Sequence, residues 1–184
     1  MNEKHYSLFG VAGAIVPCIF IAVSILLSPW FSWQRNALSD LGHTTRSSVA
    51  PVFNFGLLLG GVLILIYATM MYRRTTKYTS TCLGVAAVAL QLVAAFNEVY
   101  GGLHFIVSVL FFVSIGVFAL VYSLEKKSYL GIPVFVIGLV SWGAHGRLYS
   151  AGIAVPETIS SLACVTLVIY SALQIYLGKE LTRQ

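Results

Sequence analysis

LHFIVSVLFFVSIGVFALVYSL, residues 103–124, is the stretch whose reading decides the fold. It is continuously apolar and free of Asp, Glu, Lys and Arg. As a helix it would rise about 33 Å, enough to cross a hydrocarbon core about 30 Å thick. A membrane-barrel strand would instead alternate apolar and polar residues, and this run does not. Five more runs of the same kind flank it: Leu8–Ser28, Val49–Tyr72, Tyr78–Asn97, Ser128–Ala144 and Thr158–Leu177. The chain therefore reads as an all-α integral membrane protein, one compact bundle of six transmembrane helices forming a single domain over residues 1–184. The fifth run is the shortest.

Composition agrees. Of 184 residues, 58% are hydrophobic and only 9% charged, too little charge for a soluble domain of this length. The first run is too long for a signal region and has no small-residue cleavage site after it, so it is expected to stay as the first span. Cys18, Cys82 and Cys164 lie inside runs with neither CxxC nor metal-type spacing, and read as packing residues.

Orientation follows from the basic residues. With the N-terminus inside, the inner segments hold Lys4, Arg73, Arg74, Lys77, Lys126, Lys127, Lys179 and Arg183, and the outer ones only Arg35, Arg46 and Arg147. Both ends are thus expected on the cytoplasmic side of the cell membrane. The net charge of +5 is explained by this asymmetry; it calls for anionic lipid at most and for no nucleic acid.

The remaining polar residues gather on the other side. Glu3, Glu125, Glu180 and His5 sit among inner basic residues as solvated flanks. Asp40, His43, Glu98, His104, His145 and Glu157 all fall in outer loops or at outer span ends, with Arg35, Arg46, Arg147, Asn36, Asn54 and Asn97. Ionisable groups at bilayer depth are costly, and commonly face a protein interior or a wet cavity. Each also has a local reading. Pro156-Glu157 suits a helix N-terminus, where a carboxylate meets free N–H groups and the positive end of the dipole. Asn54 and Gln91 can simply join helices. Their clustering favours a polar site opening outward.

The longest outer loop, residues 29–48, begins PWFSW (29–33), an aromatic interfacial pattern. The stretch Trp33–Leu41 is expected to form a short interfacial helix ending at Gly42 as its C′ residue, with Asn36, Ser39 and Asp40 sharing a face. Asn and Asp in such places also bond nearby backbone. This loop is positioned to lay Asp40 over the polar layer as a lid.

NALSDLG (36–42), PVFNFG (51–56), GLH (102–104) and GIAVPE (152–157) together resemble the prokaryotic, notably archaeal, membrane proteins grouped as domain-of-unknown-function family 998. The first string is the most specific. The resemblance implies a compact six-span bundle and the same outer polar layer, and brings no activity with it. Many relatives carry Phe-Pro where this chain has Phe96-Asn97-Glu98, so the role of Glu98 transfers less directly.

Three functions are open. The first is a membrane enzyme acting on a lipid or isoprenoid. Asp40, His104 and Glu157 would be catalytic, by acid–base chemistry or with a divalent metal as cofactor. Arg35, Asn36, Ser39, Arg147 and Asn54 would bind the substrate, the arginines holding an anionic head group, and His145, Glu98 and His43 would support the site or ligate the metal. No HxxxH, HExxH or Ser-His-Asp spacing lies on one element. The second is a lipid- or partner-binding accessory protein. The third, ranked last because the inner span halves hold almost no polar groups, is a proton-coupled transporter. Membrane lipids are the expected partners, with a homo-oligomer also open.

Overall fold

The computed structural model describes residues 3–74, 76–148 and 150–178, with side chains from residue 5 onward except at 72–74. The side chains of Lys4, Arg73, Arg74, Lys179 and Arg183, which carry much of the charge asymmetry, lie outside the described residues. Six α-helices form the bundle: α1 (Glu3–Leu26), α2 (Ala50–Arg74), α3 (Lys77–Ala95), α4 (Gly102–Glu125), α5 (Gly131–Ala144) and α6 (Ala154–Tyr176). Two 3-10 turns interrupt the connections, η1 (Leu38–Gly42) and η2 (Glu98–Tyr100).

All but α5 are long and apolar enough to span a membrane. The helix expected over Ser128–Ala144 begins only at Gly131 and has 14 residues, about 21 Å. The reason is local. Lys127 takes a positive φ of 48°, Ser128 N–H returns to the Ser123 carbonyl at 3.1 Å, and the chain spends three residues turning. Gly131 then lies against the Ala119 carbonyl, where no side chain fits.

Each helix packs on its neighbour in sequence, and α6 returns to α1, so the six close into a ring; α4 and α6 meet only sparsely across it. Two apolar clusters fill the interior. Tyr67, Met71, Phe118, Tyr122 and Leu167 form one toward the end that holds the termini. Leu38, Leu41, Phe53, Leu57 and Leu90 form the other, beneath the long loop. Outward, Leu8, Ile19, Phe55, Val113, Leu139 and Leu162 are exposed. Such an apolar surface suits hydrocarbon, and helices that satisfy their own backbone can stand in it.

The first three helices approach closely. Pro17 inside α1 removes an amide and leaves the Gly13 carbonyl without its helical donor. Gly60 of α2 packs onto that spot, with Gly13 O 3.1 Å from where a Cβ would stand. Gly61, on the other face, meets α3 just as tightly, 2.9 Å from the Ala87 carbonyl.

The end opposite the termini carries η1, η2 and the 145–153 connection. The loop after α1 is clasped to the start of α6: Gly152 N–H donates to Trp33 O at 2.8 Å and Ala154 N–H to Asn36 O at 2.9 Å. A Cβ at 152 would sit 3.0 Å from Trp33 O and closer still to Asn36, so the clasp requires glycine there.

Candidate functional site

The loop helix expected over Trp33–Leu41 is replaced by a turn and the five residues of η1. Side chains hold this shape. Asn36 accepts Ser32 N–H on Oδ1 at 2.9 Å and donates from Nδ2 to Asp40 Oδ2 at 2.7 Å. The same Asp40 oxygen accepts Ala37 N–H at 3.0 Å. Local bonding of Asn and Asp to backbone outcompetes the helix here. Gly42 does not end a helix in left-handed geometry. It is glycine because a Cβ would lie 2.7 Å from Asn54 Oδ1 and 2.9 Å from the Phe53 ring. Asn54, expected to bind a ligand, donates to the Gly42 carbonyl at 2.9 Å and fastens η1 to α2.

Glu157 is the fourth residue of α6 and is 92% buried, with 8% of its surface exposed. Its carboxylate does not cap its own helix. Oε2 accepts Leu38 N–H at 2.6 Å, across 119 residues of sequence, and so caps η1. Asp40 and Glu98 are neighbouring carboxyls, and the charge of Asp40 acts on Glu98. Glu98 stands in the α3–α4 connection, where burial first, then the neighbouring Asp40, push its carboxyl from 4.5 up to about 7, with Arg46 opposing. Its Oε2 is buried without a hydrogen-bond partner.

His104, at the head of α4, is buried. Its Nδ1 lies 2.8 Å from the Phe96 carbonyl, an acceptor only, so Nδ1 carries the proton. In the neutral ring Nε2 then accepts, and Ser108 Oγ lies 3.3 Å from it. One turn apart on α4, these two line a cavity of about 710 Å³ between α4, α5 and α6.

Ser39, Glu98, His104, Ser108, Glu157 and Ser160 supply the polar end of this cleft; Phe105, Val109, Phe112, Phe135 and Leu139 are among its apolar walls. A smaller apolar cavity of about 130 Å³ inside the ring reaches the same Ser39, Ser108 and Glu157. On α5 the cleft is lined from Val134 to Trp142. Phe112 meets Trp142 with ring centroids 5.0 Å apart, and α5 ends two residues later, below the head of α4.

The structure thus brings together Asp40, Glu98, His104, Glu157 and Ser39, with Asn36 as the support for Asp40. It does not bring in the rest. Arg35 and Arg147 are exposed and line neither cavity. His43 lies beside Thr45 Oγ1 at 3.2 Å. His145 Nε2 lies 2.9 Å from the Ala151 carbonyl, within its own connection. Among the described residues no three His, Cys, Asp or Glu side chains are grouped to hold a metal ion.

Sequence reading missed Ser108, Ser160 and Trp142, although Ser108 follows His104 at helical spacing. Trp142 Nε1 donates to Ser160 Oγ at 3.3 Å, and Ser160 in turn donates to Pro156 O at 2.5 Å. It also took Glu125 for a solvated flank. That carboxylate accepts Tyr78 N–H at 3.1 Å and Thr79 N–H at 2.6 Å, capping the first turn of α3.

Fold and site together define a multi-pass helical membrane protein with a polar-ended lateral cleft. The chain belongs to the family DUF998, described as a protein of unknown function, whose family model matches residues 11–174. No curated protein and no solved structure matches it.

Proposed function

We propose that this protein holds a lipid-like molecule in the α4–α5–α6 cleft, hydrocarbon along the apolar walls and head group at Glu98, His104 and Glu157. One observation carries the reading: a cavity of about 710 Å³ with apolar walls and a single polar end, the division of surface that an amphipathic ligand requires. Positive-inside asymmetry supports both termini being cytoplasmic, with the polar end facing the extracytoplasmic side at head-group depth. A cysteine introduced at His43 is then labelled by an impermeant reagent added outside; labelling only from the cytoplasm overturns the orientation.

A second reading, enzymatic turnover of the bound molecule, is favoured by the Asp40–Glu98 pair. Two neighbouring carboxyls, that of Glu98 held up at about 7 by burial and by Asp40, suit a general acid and base near neutral pH. Transport ranks behind both, because Tyr67, Phe118 and Tyr122 close the interior toward the termini.

The test is lipid mass spectrometry on gently extracted protein, unaltered and with Gly138→Leu. A Cβ at 138 would stand 3.7 Å from Ser160 Cβ, so leucine fills the cleft. A co-purifying lipid lost in the variant is expected. The same lipids in both, or none in either, would sink the cleft reading.

A further inference from the structure

The head-group class can be read from the hydrogen-bonding inventory of the cleft, and the inference rests on the cleft reading above. Glu98 Oε2 is buried and unpartnered. His104 has Nδ1 against the Phe96 carbonyl at 2.8 Å and Nε2 3.3 Å from Ser108 Oγ, so both ring nitrogens already have partners. Ser160 spends its hydroxyl proton on Pro156 O. Glu157 contributes a second carboxylate to the same end. Among the described residues neither Lys nor Arg lines the cleft; Arg35 and Arg147 lie exposed on the loops, and Arg46, which acts on Glu98 electrostatically, is exposed as well.

The polar end therefore presents two carboxyls, which supply acceptors and negative charge, beside the Ser39 and Ser108 hydroxyls. A phosphate or carboxylate head would bring more of both into a low-dielectric site, and burying unpaired like charges is costly. A head with N–H donors and positive charge meets the unpartnered Glu98 oxygen and offsets the acids. The walls state where it comes from. Phe105, Val113 and Leu139 line the cleft and are also 68%, 57% and 63% exposed, so the cleft is open sideways to hydrocarbon. Helices α4 and α5 pinch together at Gly131, against the Ala119 carbonyl, whereas nothing approaches Gly143 at the other end of α5.

We infer that the ligand is a long-chain amine drawn from the surrounding bilayer, entering between α4 and α5 and seating its ammonium head among Glu98, His104 and Glu157.

Trp142 lines the cleft and is one of three tryptophans; replacing the exposed Trp30 and Trp33 with Phe leaves it as the sole reporter. Full-length protein in phosphatidylcholine nanodiscs is titrated with chain-brominated hexadecylamine, hexadecanol and palmitate, following quenching of Trp142. The amine is expected to quench at the lowest concentration, with palmitate about tenfold weaker or worse, and with Glu98→Gln weakening the amine about tenfold. Palmitate or hexadecanol matching the amine overturns the head-group assignment while leaving the cleft. An amine response unchanged by Glu98→Gln overturns it too. Quenching by none of the three removes the cleft reading itself. If Glu98→Gln does not fold, the ranking of the three head groups on the protein with Glu98 intact still decides.

Discussion

The two sides of the ring use glycine to opposite ends. Between α1, α2 and α3, Gly60 and Gly61 bring backbones into contact, with neighbouring carbonyls about 3 Å from the missing Cβ positions. Between α4, α5 and α6 such contact is confined to Gly131 at the start of α5; beyond it Gly116 and Gly138 have only side-chain atoms 3.5 and 3.7 Å away, and Gly143 has nothing. Close backbone approach is how helices associate in lipid, where burial of apolar surface gives little drive. The first side is thus a rigid wall. The second is held apart by Phe112, Phe135 and Trp142 and keeps a cavity at some cost in packing. Past Gly131, the residue type that marks adhesion in one half leaves room in the other.

The sharpest way to break this contrast is a matched pair of substitutions. Gly61→Leu drives a side chain into the Ala87 carbonyl and the Gln91 stem, and is expected to cost about 3 kcal/mol or more, with little folded protein recovered. Gly143→Leu meets open space and should stay within about 0.5 kcal/mol. Thermal unfolding in detergent measures both. Equal losses would erase the distinction between wall and cleft.

The next effect is at the junction of the two sides. Glu157→Ala leaves Leu38 N–H buried without an acceptor and is expected to cost about 2 kcal/mol, with Glu157→Gln recovering part of it. Unfolding of the two variants side by side gives the order. A Gln variant no better than Ala would mean that packing, not the hydrogen bond, holds η1.

The smallest is a dependence on pH. Glu98 faces Asp40 from η1, Arg46 from the loop, Glu157 from α6 and His104 from α4. Its carboxyl is raised from 4.5 to about 7, chiefly by burial. The folded chain then holds a proton that the unfolded chain releases, so this contribution is complete below about pH 4.5 and is lost as pH rises through 7. Solvent screening of a half-buried group limits the change to about 1 kcal/mol. Melting temperatures from pH 4.5 to 8 should fall, and Glu98→Gln should flatten that fall. A parallel slope in the variant would assign the dependence to another group.

How much of this was legible in the sequence follows from the range of the forces. Apolar runs near 20 residues declare helices by themselves, so five spans appear with ends only a few residues off. Residues 128–130 are too short a turn to stand out, and α5 was read long. Asp40, Glu98, His104 and Glu157 were legible as a polar layer because isolated ionisable groups at bilayer depth demand company. The geometry within that layer was not. η1 depends on an acceptor 119 residues away, and helix periodicity gives no sign of it. Arg35 and Arg147 were read as anion holders from loop position alone, and loop position does not say which way a side chain faces. Ser108 and Trp142 were overlooked because serine and tryptophan are ordinary in spans until a cavity gives them a direction.

The contact between Glu157 and Leu38 also has a meaning in time. At about 5–20 residues per second of synthesis, the acceptor for Leu38 follows it out of the ribosome by about 6–24 s. During that interval the first loop has its Asn36–Asp40 and Asn54–Gly42 bonds but neither the Glu157 carboxylate nor the Gly152 clasp. The acidic layer is therefore incomplete until α6 inserts. A chain released before α6 would hold Asp40, Glu98 and His104 but neither Glu157 nor the α6 wall of the cleft.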